Sequence, residues 1–373
     1  MTTIGILGAG QLGRMLALAG YPLGMRFRFF DPAADAPAKL LAEHVTAEYA
    51  DLDALRRFAD GLDVVTYEFE NVPVETVRFL EQFCPVYPPP LALEKGQDRL
   101  VEKLFFRMLG ISTPDFAAVS SDADLENAAR VTGFPAVLKT RRMGYDGKGQ
   151  FTVWNLDELG GAFRSLQGQP AILEQFVPFE RELSILAVRG RDGEMVFYPL
   201  IENTHREGIL RLSVAPAPRR PKTSRLLEYH QSTQSLAEMY ALALMNALNY
   251  VGVLAIEFFQ VGDQLLANEM APRVHNSGHW TLQGAVTSQF ENHVRAVTGL
   301  PLGSTTPLGV TAMVNLIGHV PTLDSILKIE GAHLHLYDKA PRAGRKVGHI
   351  NLVARTHEEL LSKAEIIKRL VEG

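Results

Sequence analysis

Gly252-Val-Leu-Ala-Ile-Glu257-Phe-Phe-Gln-Val-Gly-Asp-Gln-Leu-Leu-Ala-Asn268-Glu269-Met is a stretch of two apolar runs around a short polar turn. This pattern predicts a β-hairpin, and a turn centred on Asp263 would place Glu257 opposite Glu269 on one face. Like charges directly opposite each other destabilise a sheet, so a compensating group is expected. Mg²⁺, which takes carboxylate oxygens and keeps positions open for phosphates, would compensate. The alternative is an edge hairpin whose two acids are solvated.

The segment after the hairpin is a second candidate site. Ala271-Pro-Arg273-Val-His275-Asn276-Ser-Gly-His-Trp280 is rich in polar donors and lacks a helix or strand pattern. One helix is predicted over residues 281–297, and its N-terminus would add an anion site next to these donors.

Composition narrows the class of protein. The chain has 373 residues, 46% hydrophobic and 21% charged, which is typical of a globular protein of two or three domains. Its net charge of −5 gives no basic surface for nucleic acid, and its single cysteine, Cys84, rules out an internal disulfide framework. The first residues predict a strand rather than a signal peptide, and no apolar run is long enough to span a bilayer. The expectation is a cytoplasmic protein with no membrane or nucleic-acid partner.

The N-terminal segment carries a glycine-rich turn. An apolar strand ends in Gly8-Ala-Gly-Gln-Leu-Gly-Arg14, a helix pattern follows, and Asp31 ends the next strand. This spacing is the dinucleotide fingerprint of a doubly wound α/β unit, so a nicotinamide-dependent oxidoreductase is one alternative. The same turn would suit any phosphate, and the Gln11 side chain inside it would suit a ribose phosphate.

The strand over residues 63–67 leads into Glu68, which should face the same crevice as Gln11 because ligands bind beyond the carboxyl ends of such strands. A proline-rich connector follows, and then one long helix is predicted over residues 91–109. Its charged residues Asp98, Glu102 and Lys103 are expected to form an ordinary solvated face.

The middle of the chain contains a basic glycine loop. Phe134-Pro-Ala-Val-Leu-Lys139 predicts a strand that ends in a lysine, and Thr-Arg-Arg-Met-Gly144-Tyr-Asp-Gly-Lys-Gly-Gln150 follows it. Glycines let backbone amides approach an anion while the cations supply charge, which favours a flap over a triphosphate. The loop is not a Walker A motif, and a basic hairpin tip is the alternative. The strand over residues 171–177 runs into Pro178, a hinge that could hold an adenine edge.

The last third of the chain has three further features. Residues 198–208 are predicted to be polar and turn-like, and a helix is predicted over residues 223–248. Near the end, a strand over residues 333–337 precedes Asp338-Lys339-Ala-Pro-Arg-Ala-Gly-Arg345-Lys346-Val-Gly-His349, where cationic groups surround turn glycines. This loop is a second anion-site candidate, with a solvated surface loop as the alternative.

Together these features predict an α/β chain, partly α+β, with three domains. They are an N-terminal substrate-phosphate domain over 1–110, a small lid domain over 111–197, and a C-terminal domain over 198–373 that holds the hairpin and the basic loop. A flap combined with Mg²⁺ held by carboxylates is typical of a site that transfers a phosphoryl group.

The chain resembles the ATP-grasp ligases, and among them the N5-carboxyaminoimidazole ribonucleotide synthetases of purine biosynthesis. The resemblance implies an ATP-grasp fold with an N-terminal pre-ATP-grasp domain, and a homodimer is usual for the family. It rests on motifs that span nearly the whole chain in the family's order: Gly8-Ala-Gly-Gln-Leu-Gly-Arg-Met15, Tyr67-Glu-Phe-Glu-Asn-Val72, Lys139 to Gln150, Asn268 to Trp280 and Gly344-Arg-Lys-Val-Gly-His-Ile-Asn351.

The resemblance also implies the reaction and its residues. ATP, bicarbonate and 5-aminoimidazole ribonucleotide would give the N-carboxylated nucleotide, ADP and phosphate, through carboxyphosphate. Mg²⁺ would lie on Glu257 and Glu269. The catalytic residues around bicarbonate would be Arg273, His275, Asn276 and Lys339. The aminoimidazole nucleotide would contact Gln11, Leu12, Glu68, Tyr145, Asp146, Lys339, Arg345 and Lys346. ATP would contact Arg99, Lys139, Gly144, Tyr145, Asp146, Gly147, Lys148, Gly149, Gln150, Glu174, Gln175, Phe176, Val177, Glu182, His205, Asn268 and Glu269.

One geometric difficulty follows from these assignments. Asn268 and Glu269 are adjacent in a strand and should point to opposite faces, so a bulge is needed for both to contact one nucleotide.

Three other function classes remain open at this stage. The near alternative is a sister ATP-grasp ligase that uses formate on a glycinamide ribonucleotide, and the basic loop with His349 favours the aminoimidazole enzyme over it. The distant alternatives are the oxidoreductase and non-catalytic nucleotide binding.

Overall fold

The computed structural model describes residues 1–144, 149–218 and 232–372. Its first unit has the elements β1 (Thr3–Leu7), α1 (Gln11–Gly20), β2 (Arg26–Phe30), β3 (Glu43–Val45), α2 (Leu52–Ala59), β4 (Val64–Tyr67) and α3 (Val74–Leu80). The four strands pair in parallel in the order β3-β2-β1-β4, as the doubly wound pattern predicts. Ile4, Ile6 and Leu7 are fully buried, because helices cover both faces of such a sheet.

The long helix predicted over residues 91–109 is two helices. They are α4 (Pro90–Gly96) and α5 (Arg99–Met108). Asp98 adopts an extended backbone between them and caps α5, since its Oδ1 accepts a hydrogen bond from the Leu100 amide at 3.0 Å.

The middle unit is a small antiparallel sheet with two helices. Its elements are β5 (Phe116–Val119), α6 (Leu125–Thr132), β6 (Ala136–Thr140), β7 (Gln150–Val153), α7 (Leu156–Ser165) and β8 (Ala171–Gln175), and its strand order is β5-β8-β6-β7. Leu138, Leu159 and Leu173 belong to a core cluster that is built from this unit's own residues.

The third unit is built on a large antiparallel sheet. Its elements are β9 (Arg181–Arg189), β10 (Met195–Phe197), β11 (Ile201–Arg206), β12 (Ile209–Ala215), α8 (Thr233–Ala247), β13 (Gly252–Val261), β14 (Gln264–Ala271), α9 (Thr281–Gly284), α10 (Gln289–Thr298), β15 (Val310–Ile317), α11 (Leu323–Leu327), β16 (Ala332–Leu336), β17 (Lys346–Ala354) and α12 (His357–Glu372). The strand order is β14-β13-β9-β11-β12-β15-β17-β16, with β10 on β9.

Sheet membership differs from the expected division of the chain at residue 197. β9 and β10 pair within the large sheet, so residues 181–197 lie with the third unit rather than the second. The change of sheet falls between Gln175 and Arg181, where Pro178 lacks the amide hydrogen that a continuing ladder would need.

Three further sequence predictions need correction. The polar segment predicted to be a turn contains β11, which pairs with β9 and β12.

The helix predicted over 281–297 is divided into α9 and α10, because Gly284 ends the first and Ser288 caps the second through the Glu291 amide at 3.1 Å. With only four residues, α9 is too short to provide the expected anion site. The expected start of α8, near residue 223, lies outside the described residues.

The first and third units share one core. Leu12 and Leu16 of α1 belong to the same buried cluster as Phe290 and Val294 of α10. This packing fixes the glycine turn that precedes α1 relative to the large sheet. Within the described part of the chain, no helix is both long and apolar enough to cross a membrane.

Candidate active site

The predicted acidic hairpin is present. β13 and β14 pair antiparallel around Gly262 and Asp263, and Glu257 lies directly opposite Glu269, as the sequence predicts. The register then shifts: Phe258 pairs with Ala267, which leaves Asn268 as an extra residue on its strand. This is the predicted bulge, and it lets the adjacent Asn268 and Glu269 both line the same cleft.

The pKa values of the two carboxylates are shifted in opposite directions. Burial and the negative charge of Glu269 raise the pKa of Glu257 above its ordinary value. Burial would also raise the pKa of Glu269, but the Arg99 guanidinium, 2.8 Å from its Oε2, outweighs burial and lowers it. His275 Nε2 lies 3.5 Å from Glu257 Oε1. The oxygen atoms of these two facing carboxylates, with the side-chain amide of Asn268 nearby, fit a hard cation such as Mg²⁺.

Lys139 extends from the end of β6 into the cleft, as predicted. Its Nζ lies 3.1 Å from Glu174 Oε2 and 3.5 Å from Asn268 Oδ1. Burial opposes ionisation of Glu174, but Lys103 and Lys139 outweigh it and lower its pKa to about 2.

The charges of α5 do not form the solvated face that the sequence predicts. Asp98, Glu102 and Lys103 are at most 3% exposed. Lys103 Nζ lies 3.3 Å from Glu174 Oε2 and donates to the Ala267 carbonyl at 3.1 Å. Asp98 pairs with Arg141 at 2.8 Å and so connects α5 to the base of the glycine loop. Glu102 lies three residues before the buried Phe105 on the same side of the helix, which was a usable signal of its burial.

His205 lies at a second bulge. The register of β11 against β12 shifts between Thr204 and His205. The Nδ1 atom of His205 is 2.6 Å from Glu182 Oε2, and both residues line the cleft. Burial alone would lower the pKa of His205, but the hydrogen bond to Glu182 outweighs burial and raises it.

The glycine turn binds a carboxylate of the chain itself. Glu68 accepts hydrogen bonds from the Gly10 amide and, at 2.6 Å, from the Gly13 amide, so it caps the N-terminus of α1. Asp31 accepts from the Ala9 amide at 2.9 Å. In this structure the Ala9, Gly10 and Gly13 amides are therefore occupied by carboxylates of the chain itself. Asp31 is engaged within the turn as well, which removes the main support for a nicotinamide cofactor.

The N-terminal turn and the C-terminal basic loop meet, as predicted. Lys339 Nζ donates to Gln11 Oε1, and Gln11, Leu12 and Lys346 line the same cleft. Arg345 donates to the Ala340 carbonyl at 3.2 Å within the loop.

The three donors after the hairpin are each held by a residue that the sequence analysis did not select. Arg273 pairs with Glu70, which follows β4. Asn276 exchanges two side-chain hydrogen bonds with Asn315, at 2.7 and 3.1 Å. Gln289 clamps the backbone of His275: it accepts from the amide at 2.9 Å and donates to the carbonyl at 2.7 Å. Only Glu70 had a sequence signal, because it lies in the same polar turn as Glu68.

One cleft of about 630 Å³ joins these groups. Most of the predicted residues line it, and they come from all three units: Gln11, Leu12, Glu68, Arg99, Lys139, Gly144, Gln150, Glu182, His205, Glu257, Asn268, Glu269, Arg273, His275, Asn276 and Lys346. Seven described residues that were predicted do not line it: Gly149, Glu174, Gln175, Phe176, Val177, Lys339 and Arg345. The predicted residues Tyr145, Asp146, Gly147 and Lys148 lie outside the described part.

Comparison with known proteins identifies the family of this chain. Residues 104–290 match the ATP-grasp domain, residues 1–97 the ribonucleotide synthetase preATP-grasp domain, and residues 311–363 the phosphoribosylaminoimidazole carboxylase C-terminal domain. The N5-carboxyaminoimidazole ribonucleotide synthase of Pseudomonas aeruginosa is 54% identical over 370 residues, which cover 99% of each chain. This chain belongs to the N5-carboxyaminoimidazole ribonucleotide synthase family.

Solved structures of the synthase family share the whole architecture. The synthetase from Thermus thermophilus is 58% identical, with a TM-score of 0.93 over 99% of both chains. The synthase from Aspergillus clavatus, solved in complex with ADP and 5-aminoimidazole ribonucleotide, is 30% identical, with a TM-score of 0.90 over 100% of this chain and 98% of that one. The ATP-grasp fold with an N-terminal pre-ATP-grasp domain, predicted from the motifs, is thus confirmed.

Proposed function

We propose that this chain carboxylates 5-aminoimidazole ribonucleotide with bicarbonate at the expense of ATP, as a step of purine biosynthesis. The observation that carries the proposal is the single cleft in which the basic loop, the acidic hairpin and Lys139 meet. A bicarbonate oxygen attacks the γ-phosphorus and ADP leaves. Carboxyphosphate then breaks into phosphate and carbon dioxide, and the exocyclic amine attacks that carbon and loses a proton.

The ATP subsite lies between the middle unit and the hairpin. Lys139 and Arg99 bring positive charge to the triphosphate, and Asn268 and His205 line the same wall of the cleft. Glu257 and Glu269 would hold Mg²⁺, which neutralises phosphate charge when bound. The remaining ATP contacts that the family implies, including the glycine loop and the link after β8, belong to the same proposal.

The bicarbonate subsite lies at the start of the loop after the hairpin. Arg273, His275 and Asn276 line the cleft beside the carboxylate pair, and Lys339 approaches from the basic loop. Partly buried donors of this kind, held by their neighbours, stabilise the charge that develops on transferred oxygens, because little solvent must reorganise around them. Closing the cleft to water would protect carboxyphosphate from hydrolysis.

The aminoimidazole nucleotide lies between the two ends of the chain. Gln11, Leu12 and Glu68 line one side of the cleft and Lys346 lines the other. Lys339, which donates to Gln11, and Arg345, which precedes Lys346, are proposed to extend the second side, with Tyr145 and Asp146 as further proposed contacts. Because Glu68 occupies the glycine turn, we assign the ribose phosphate to the basic loop rather than to the amides of that turn.

The experiment is phosphate release from Mg²⁺-ATP by the purified full chain, with each co-substrate omitted in turn. Full turnover should require both bicarbonate and aminoimidazole ribonucleotide. Equal phosphate release with formate and glycinamide ribonucleotide would point to the sister ligase. Phosphate release at the same rate with and without each co-substrate would refute the proposal. We further propose a homodimer, which sedimentation tests. The cytoplasm is the proposed location, because phosphorylated substrates do not cross membranes unaided.

A further inference from the structure

A row of buried hydroxyl and amide groups leads from β12 to the ring of His275. Ser213 Oγ donates to Asn203 Oδ1 at 2.7 Å, and Asn203 Nδ2 donates to Ser184 Oγ at 2.9 Å. Ser184 Oγ donates to Ser277 Oγ at 2.9 Å, and Ser277 Oγ lies 2.9 Å from His275 Nδ1. Since the hydroxyl of Ser184 already donates to Ser277, the hydrogen of Ser277 is available for the histidine ring.

A second donor reaches the same ring nitrogen. The backbone amide of Ser277 donates to His275 Nδ1 at 3.3 Å. A hydrogen on Nδ1 would face this amide hydrogen, and an amide nitrogen cannot accept in return. Nδ1 is therefore the unprotonated nitrogen, and the single hydrogen of a neutral ring lies on Nε2.

The Nε2 atom faces the cleft. It lies 3.5 Å from Glu257 Oε1, and His275 is part of the cleft lining. Gln289 holds the backbone of His275 through both its amide and its carbonyl, which fixes the position from which the ring extends. Ser184 and Ser277 are completely buried, so water does not compete for these hydrogen bonds.

We propose that Ser277, supported by Ser184, is a positioning residue that holds His275 in the tautomer protonated on Nε2. The ring then presents a hydrogen-bond donor to an anionic oxygen of a carboxylate or phosphate in the cleft, and it does not act as a general base there. The identity of that anion rests on the proposed function. The tautomer is a property of the chain alone and can be tested without turnover.

The direct test is a long-range ¹H–¹⁵N correlation spectrum of the ¹⁵N-labelled full chain without ligands. The His275 ring signals are assigned by their loss in His275→Gln. A protonated Nε2 and an unprotonated, hydrogen-bonded Nδ1 are expected at pH 7.5. A ring protonated on Nδ1, alone or together with Nε2, would overturn the proposal whether or not the chain has the proposed activity.

Ser277→Ala tests the role of the hydroxyl group. The Nδ1 resonance should move toward that of a nitrogen without a hydrogen-bond donor. We expect kcat to fall about tenfold, comparable to one lost hydrogen bond, with the KM values for ATP and for the ribonucleotide unchanged. The matched control is Ser213→Ala, at the far end of the row, which should leave the Nδ1 resonance in place. An Nδ1 resonance that is the same in Ser277→Ala as in the unaltered chain would contradict the assigned role.

Discussion

Carboxylates around the cleft ionise differently because their immediate neighbours differ. Glu174 lies between two lysines, and their charges overcome burial, so its pKa falls to about 2. Glu102 is equally buried but lies near the negative charge of Glu269, so burial and this charge raise its pKa to about 8. Glu102 therefore stays protonated at neutral pH, while its Oε1 accepts the Met270 amide at 2.7 Å.

Glu102→Gln should stabilise the protein at alkaline pH. A carboxyl group whose folded pKa lies above its unfolded value reduces stability as pH rises from the unfolded value through the folded one. Glutamine keeps the acceptor for Met270 and removes this loss. At pH 9 the free energy of unfolding should rise by about 1–2 kcal/mol, the energy that corresponds to roughly one pKa unit. At pH 4 it should not change.

Thermal unfolding at both pH values measures this difference. The control is Glu126→Gln, an exposed carboxylate on α6 whose surface ion pair with Arg130 contributes little, so the melting temperature should change only slightly at either pH. A variant of Glu102 that is less stable at pH 9 than the unaltered chain would show that the buried group is ionised.

Arg345→Ala should raise the KM for aminoimidazole ribonucleotide and leave the KM for ATP nearly unchanged. A charge-assisted phosphate contact contributes about 1.5–3 kcal/mol, which corresponds to roughly a tenfold to hundredfold loss. Steady-state kinetics with each substrate varied in turn measure both constants. Arg342→Ala, an exposed arginine of the same loop, is the control. If ATP binding weakens instead, the basic loop serves the triphosphate and the two substrates are placed the wrong way round.

At the level of single residues, the sequence predicted groups that follow a periodic pattern. The Glu257 and Glu269 pair was predicted from a turn centred on Asp263. The observed two-residue turn pairs Val261 with Gln264, and the predicted pair forms because the bulge shifts the register by one residue. The basic loop near the end of the chain follows from its glycine spacing. Lys103 and Asn315 could not be selected, since their roles depend on which element packs against them. Glu68 was placed at the correct crevice, but its hydrogen bonds to the glycine turn were not predicted, because a helix N-terminus accepts an internal carboxylate as readily as a phosphate.

At the level of elements, the bulge in β14 decides which side chains share the cleft. Without it, Asn268 would lie opposite Glu257 and Glu269 would face away. The extra residue instead lets both side chains line the cleft, with Asn268 Oδ1 3.5 Å from Lys139 Nζ. The need for a bulge followed from the sequence once both residues were assigned to one nucleotide. The strand β11 could not be predicted from the sequence, because its polar residues are paired with those of its neighbours inside the sheet.

Asn268→Ala should weaken ATP binding alone. One lost hydrogen-bonding group corresponds to about a threefold to tenfold rise in the KM for ATP, while the KM for the ribonucleotide should stay constant. Gln264→Ala, at the exposed end of the same hairpin, controls for general damage to β14. Equal effects of both variants on ATP would mean that the bulge only shapes the hairpin.

Across the whole molecule, α10 joins the first unit to the large sheet. His293 Nε2 lies 2.8 Å from Thr66 Oγ1 on β4, and its Nδ1 accepts from the Val253 amide at 3.1 Å on β13. β4 leads to Glu68 and β13 leads to Glu257, so one buried histidine fixes the distance between the two walls of the cleft. This junction could not be predicted, because it depends on packing between residues far apart in sequence.

Thr66→Val should destabilise the first and third units together. It leaves the Nε2–H of His293 buried without a partner, which costs about 1–3 kcal/mol. Calorimetry should show their shared transition moving to lower temperature as one peak, and Thr46→Val, at an exposed site in the same unit, should leave it unchanged. Two separate peaks in the variant would indicate that the units are independent.

The central claim is that bicarbonate is activated by a phosphoryl group from ATP in this cleft. The most direct measurement supplies ¹⁸O-labelled bicarbonate with Mg²⁺-ATP and aminoimidazole ribonucleotide, and follows the label in the released phosphate by mass spectrometry. Attack of a bicarbonate oxygen on the γ-phosphorus predicts one ¹⁸O atom in each phosphate formed. Phosphate without the label, released while the ribonucleotide is carboxylated, would show that water attacks ATP and would contradict the proposed route.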